Sequence, residues 1–259
     1  MNQKLLLFDL DGTLLKNDKT ISENTLAALM KCRKKGMLIG ISTSRSEQNI
    51  LSFIAALQPD IMITSGGALV KKRDEYIYKA VFTPAETKQM IRTARDICGE
   101  DCEIAIDTMS RHFWNYKTDP QKQDPSWGES EWTDFYDFDL ESLKMCVEIS
   151  DEKKAEQLKE SLPQCDSVRF SEGDWYKYTR KGVTKEQAIR LVCSACGMKC
   201  EDIVAFGDDY ADIGMLKLAG IGVAMGNAIH EVKKAADVVI GSNEEDGIAK
   251  YLEESYGTN

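Results

Sequence analysis

Histidine is nearly absent from the 259-residue chain: there are two, His112 and His230, far apart in sequence. That scarcity bears on the cluster Cys193, Cys196 and Cys200, because a zinc site there would have no fourth ligand nearby. Ala188, Leu191, Val192 and Ala195 fall at i, i+3, i+4 and i+7, an apolar helical face that Cys196 continues, so these cysteines read as buried structural thiols. Long apolar runs are missing as well, and none approaches the ~20 residues of a membrane helix. The stretch from Met1 into Leu5 to Phe8 carries no cleavage-site pattern, so a secretory leader is not expected. Eight cysteines without such a leader read as reduced thiols of a cytoplasmic protein. Positive charge is in deficit: the net charge of −10 disfavours a nucleic-acid or anionic-membrane partner. A small anionic substrate stays open, since a local cation can invert the field inside one pocket. Three phosphate-handling signatures are also lacking. There is no G-x-x-x-x-G-K-[ST] loop, no cysteine followed six positions on by arginine, and no glycine after Arg111-His112.

What is present is a rhythm. Lys4 to Phe8 is a short apolar run of the kind that forms a buried parallel strand. Ser22 can cap a helix reaching about Lys35, with Gly36 as its stop. Met37 to Ile41 predicts a second strand, Glu47 to Leu57 a helix, and Asp60 to Ile63 a third strand. The rhythm breaks near Thr83-Pro84, where one helix is followed by several aromatic-rich strand-like pieces. Within these, Thr118 to Gly128 reads as a loop. It resumes with helix Lys185 to Ala195, strand Ile203 to Phe206, helix Ala211 to Leu218, strand Ile221 to Ala224, helix Ile229 to Ala235 and strand Val238 to Ile240. The expected architecture is α/β: a Rossmann-like parallel-sheet core from residues 1–82 and 183–259, interrupted by an α+β insertion over 83–182.

In such sheets the ligand lies beyond the carboxyl ends of the strands. Asp9 and Asp11 follow the first strand, Thr43 the second, and Asp208, Asp209 and Asp212 the first strand after the insertion. Carboxylates converging from two strands repel unless a cation lies between them. Hard oxygen donors without nearby histidine or cysteine point to magnesium.

Asp9-Leu10-Asp11-Gly12-Thr13 resembles the DxDGT signature of the haloacid dehalogenase superfamily. Thr43-Ser44-Arg45 resembles the second motif, Lys185 after Gly182-Val183-Thr184 the third, and Gly207-Asp208-Asp209-Tyr210-Ala211-Asp212 the fourth. Gly222 to Ala228, together with an insertion between the second and third motifs, is similar to the Cof-type branch and its large α/β cap. The resemblance implies a magnesium-dependent phosphatase of small phosphate monoesters, sugar phosphates foremost. Asp9 would be the nucleophile, Asp11 the general acid and base, and an aspartyl-phosphate the intermediate. It further implies phosphoryl binding by Leu10, Thr43, Ser44 and Lys185, and metal binding by Asp9, the Asp11 carbonyl and Asp208, with Asp212 as a ligand or just behind them. Two other readings stay open: a phosphotransferase or phosphomutase using the same intermediate, and a weakly catalytic phosphate-ester binder.

Three positions depart from the family pattern. Ala211 stands where asparagine is usual, Ser44 where glycine is usual, and Gly66 where asparagine is common. Substrate selection is expected from the insertion, with Arg111, His112, Trp114, Lys117, Trp175 and Lys177 as candidates. Each aromatic among them is better suited to the insertion's own small core than to the substrate.

Overall fold

Leu5–Phe8 forms strand β1, all four side chains buried, in a computed structural model that describes residues 4–116, 130–171 and 173–257. Helix α1 (Glu23–Lys34) starts at Ser22, whose hydroxyl accepts the Thr25 amide. Strand β2 (Leu38–Ser42) follows. The periodicity from Glu47 to Leu57 yields only the short helix α2 (Leu51–Ile54). Glu47 is turned aside: its buried carboxylate accepts Lys71 Nζ and Tyr76 Oη, each at 2.8 Å, and the Asn49 amide goes to the Ser46 hydroxyl. Strand β3 (Ile61–Thr64) is followed by a hairpin that the strand–helix rhythm did not foreshadow, β4 (Leu69–Lys72) and β5 (Glu75–Lys79).

The inserted segment opens with α3 (Pro84–Cys98), where Thr83 and Glu86 cap each other reciprocally. Strands β6 (Ile104–Asp107), β7 (His112–Trp114), β8 (Glu131–Trp132) and β9 (Lys144–Glu148) follow. Helix α4 (Glu152–Ser161) escaped the sequence reading because only Ala155 and Leu158 of its residues are buried. Strands β10 (Cys165–Arg169) and β11 (Trp175–Arg180) complete the segment. The chain then returns through α5 (Lys185–Cys196), β12 (Ile203–Gly207), α6 (Ile213–Leu218), β13 (Ile221–Ala224), α7 (His230–Ala235), β14 (Val238–Val239) and α8 (Gly247–Tyr256).

Two sheets result. The first has eight strands in the order β14-β13-β12-β1-β2-β3-β4-β5, parallel except for the hairpin at one edge. The second has six, β10-β11-β9-β6-β7-β8, antiparallel except where β8 joins β7. Each has its own apolar core. Leu5 to Phe8, Ile39, Ile41, Val204 and Phe206 lie in the first; Met90, Ile106, Phe113, Met145, Leu158 and Tyr178 lie in the second. This is an α/β core with an inserted cap. Among the described residues no helix is long and apolar enough to cross a membrane.

Helix α5 corrects one detail of the sequence reading. Its buried face is Ala188, Ile189, Val192 and Cys193, while Ala195 is exposed, so the apolar stripe is rotated toward Cys193. Cys193 Sγ lies 3.7 Å from Cys200 Sγ, and all eight cysteines are free thiols. Burial pushes the Cys193 thiol up to about 12, which keeps it protonated and suits packing better than metal binding.

Candidate active site

Strands β1 and β12 run side by side in register, Phe8 opposite Phe206, with the two rings stacked 4.5 Å apart. Asp9 follows the last residue of β1 and Asp208 the last residue of β12, Gly207, so both stand at the same edge of the sheet. Gly12 makes the turn after Asp11 possible beside Asp208. Its φ is +72°, and a Cβ at that position would come within 2.2 Å of Asp208 Oδ2. Thr13 Oγ1 donates to Asp208 Oδ1 at 2.6 Å. Thr184 caps α5 and sets Lys185 in its first turn. Lys185 Nζ then lies 2.7 Å from Asp9 Oδ1 and 2.7 Å from Asp212 Oδ1. The other Asp212 oxygen accepts the amides of Asp208 and Asp209 at 3.0 and 3.1 Å, so this side chain shapes the loop that carries Asp208.

Oxygens of Asp9, Asp208 and Asp212 lie within 4.8 Å of one another, the one cluster of its kind among the described residues. Burial, and then Asp212 and Asp208, push Asp9 well above the usual carboxylate range, with Lys185 opposing incompletely. Burial and Asp212 raise Asp208 to about 7. Burial alone would lower Lys185, but Asp212 and Asp9 hold its ammonium above the ordinary lysine range. Three carboxylates against one ammonium leave an excess of negative charge presented by hard oxygen donors. A divalent cation fits that excess, and the glycine at position 12 keeps the space beside Asp208 open.

The loop after β2 supplies the opposite wall. Thr43 is buried, its amide donates to Ile63 O, and its hydroxyl accepts the Arg45 amide at 3.1 Å. Arg45 grips Asp11 with Nε at 2.5 Å and Nη2 at 2.8 Å, and Lys19 Nζ adds a third contact at 2.7 Å. Burial raises the proton affinity of Asp11, but Arg45 and Lys19 outweigh it and hold the carboxyl below its ordinary range. The Asp11 carboxylate thus stands outside the three-carboxylate cluster. Leu10 is fully buried, and its carbonyl accepts the Thr13 and Leu15 amides, folding the chain back under Asp9. Arg45, Lys19 and Thr13 were not singled out from the sequence. Thr13 closes the first motif and Arg45 adjoins Thr43-Ser44, so adjacency was the available signal for those two.

A model of the haloacid dehalogenase-like hydrolase family matches residues 6–252. The chain belongs to that family. Its fold is similar to the HAD subclass IIB sugar phosphatase BT4131, with a TM-score of 0.87 and 29% identity over 99% of this chain and 100% of that one. Curated relatives include the 5-amino-6-(5-phospho-D-ribitylamino)uracil phosphatase YcsE of Bacillus subtilis, 28% identical over 96% of this chain and 94% of that protein. Another is the pyridoxal phosphate phosphatase YbhA of Escherichia coli, 27% identical over 97% of this chain and 98% of that protein. The hydrolase is accordingly a phosphoric monoester phosphatase.

Its cap sheet turns one face to the site. Cross-strand pairing sets Lys177, Cys146, Ala105 and Trp114 in one row, and Thr179, Lys144, Asp107 and His112 in the next. Lys144 Nζ reaches the Ser44 carbonyl at 2.6 Å and Asp107 Oδ2 at 3.0 Å. Ser65 Oγ donates to Asp107 at 2.8 Å. Of the candidates in the cap, His112 is committed to Asp107, with Nδ1 at 2.7 Å, and Arg111 points outward to Glu131 at 3.0 Å. Trp114 and Trp175 pack with Ala105 and Cys146 in a small cluster on the site-facing side. Lys177 lies over Gly66. Burial, then Lys185 and Lys144, push its ammonium down to about 8. Lys117 lies outside the described residues. Asp107 and Lys144 were missed from sequence, since nothing local to either signals a partner far along the chain, across the cap sheet or in a core loop.

Proposed function

We propose that this hydrolase removes phosphate from small monoesters, sugar phosphates foremost, through an aspartyl-phosphate on Asp9, in the cytoplasm and with magnesium. The observation that carries the reading is Lys185 Nζ bridging Asp9 and Asp212 beside Asp208, a cation and a carboxylate cluster at one sheet edge. Magnesium held by Asp9, Asp208 and the Asp11 carbonyl, with Asp212 beside or behind them, would supply the charge that lets a carboxylate approach a phosphate. Lys185, the Thr43 hydroxyl and the backbone amides of Leu10 and Ser44 would hold the phosphoryl oxygens. An Asp9 oxygen attacks phosphorus while the bond to the ester oxygen breaks, and Asp11 gives that oxygen its proton. Asp11 then takes a proton from water as the water attacks the aspartyl-phosphate, freeing inorganic phosphate and Asp9.

In the resting arrangement Asp11 is tied to Arg45 and Lys19, which favours its ionised form. Substrate binding has to loosen that tie before Asp11 can act as an acid, and an incoming phosphoryl group competing for Arg45 would do so. We take residues 83–182 as the cap that selects the substrate, with Trp114, Trp175 and Lys177 as its contributions on the site-facing side.

The test is phosphate release from a panel of sugar phosphates, nucleotides and pyridoxal phosphate, with magnesium or chelator, beside Asp9→Asn. Magnesium-dependent release lost in Asp9→Asn is the expected result; release insensitive to both chelator and the substitution would refute the mechanism. A bisphosphate product without net phosphate release would redirect the reading to phosphoryl transfer.

A further inference from the structure

Three ammonium groups meet between the two sheets. Lys185 is matched by Asp9 and Asp212, and Lys144 by Asp107. Lys177 is only 4% exposed, yet no carboxylate forms an ion pair with it among the described residues. On its own sheet it stands opposite Cys146, with Trp175 and Thr179 two residues to either side on the same face. None of these three brings a negative charge: burial pushes the Cys146 thiol up. On the core side lies Gly66, where a Cβ would come 2.7 Å from Lys177 Nζ and where φ is +70°. The Gly66 amide donates to Thr43 O at 3.0 Å, so the ammonium sits just on the cap side of the loop proposed to hold the phosphoryl group. A buried cation without a partner is unfavourable, and Lys185 and Lys144 make it more so. An anion delivered by the ligand would relieve both effects.

We propose that Lys177 forms a subsite for a second acidic group on the alcohol part of the substrate, so that phosphorylated sugar acids and bisphosphates are preferred over phosphates of neutral polyols. The phosphoryl group already has Lys185, Thr43 and the loop amides, whereas Lys177 enters from the cap, the side on which the leaving alcohol has to lie. The inference rests on the phosphatase reading above, and narrows it to an ester class.

The test compares matched esters that differ in one carboxylate: 6-phosphogluconate with glucitol 6-phosphate, and 2-phosphoglycolate with 2-hydroxyethyl phosphate. A charged hydrogen bond predicts a kcat/KM about ten- to a hundredfold higher for the acidic member in the wild-type enzyme. Lys177→Met is expected to bring that ratio close to one. Because the substitution removes a buried charge that no carboxylate among the described residues pairs, the variant should melt no lower than wild type, so lost folding would not account for the change. A wild-type ratio of one, a ratio unchanged in Lys177→Met, or an equal fall for both members would each overturn the subsite. If no ester is hydrolysed at all, the phosphatase reading fails instead. Calorimetric binding of 6-phosphogluconate against glucitol 6-phosphate to wild type and Lys177→Met then decides the subsite by the same ratio.

Discussion

Lys144 of the cap sheet donates to the carbonyl of Ser44, 100 residues earlier, at 2.6 Å. The same ammonium pairs with Asp107, and Asp107 in turn accepts the Ser65 hydroxyl. The cap is thereby tied to two loops of the core, one of them the loop proposed to hold the phosphoryl group. Gln48 adds a further tie through its amide to Met109 O at 2.9 Å.

Breaking the first tie from the acidic side should be costly. Asp107→Ala leaves Lys144 and His112 buried without their carboxylate, and a loss of about 3–5 kcal/mol at neutral pH is expected from chemical denaturation. Burial alone would raise the Asp107 pKa, but Lys144 and His112 hold it well below the ordinary range. Its contribution is therefore complete above the usual carboxylate pKa and is lost as pH falls toward the folded-state value. The gap between wild type and variant should accordingly narrow in acid; a gap independent of pH would contradict this account.

Magnesium should stabilise the hydrolase more at pH 8 than at pH 5. Asp9 and Asp208 both have raised folded-state pKa values, Asp208 about 7. In the metal-free protein their contribution is favourable below the usual carboxylate pKa and is lost as pH rises through the folded-state values, about 7 for Asp208. Protons compete with the cation below that value and release the site to it above. At a hundredfold excess over Kd the gain is about 2.7 kcal/mol. Thermal unfolding in magnesium and in chelator at the two pH values checks it, and coincident curves at pH 8 would contradict the metal site.

Arg45→Met should shift the titration of Asp11 upward. Removing the guanidinium takes away two short contacts to the carboxylate and leaves burial opposed only by Lys19. The limb of the kcat/KM profile that reports Asp11 is expected to move to higher pH. An unmoved limb would mean that Asp11 has already left Arg45 in the reacting enzyme.

Ala211→Asn should raise activity. The family's usual asparagine supplies a hydrogen bond on the phosphate side of the site, and one bond to a charged group corresponds to about ten- to a hundredfold in rate. Steady-state kinetics on the best ester of the panel measures the gain. An unchanged or lower kcat/KM would show that the site has adapted to alanine.

Some of this architecture could be read along the chain. Asp9, Asp208 and Lys185 were legible because each stands at a strand end or in a first helical turn, where local pattern fixes position. β1 and β2 were legible from their short apolar runs, and α1 and α5 from the capping residues that open them. The hairpin of β4 and β5 was not, since its edge strands are only partly apolar. Helix α4 was not either, as few of its side chains face a core.

The sequence by itself determined an α/β sheet, the carboxylates at its carboxyl edge and the family to which they belong, because strand periodicity and motif order are local properties. Tertiary structure decided what those groups touch. Asp11 meets Arg45 and Lys19, Asp107 meets Lys144 and Ser65, and Lys177 enters the space that Gly66 leaves open. Each of these relationships joins separate elements, several of them across the two sheets. Their distances are set by how those elements pack together, and no periodicity along the chain encodes that packing.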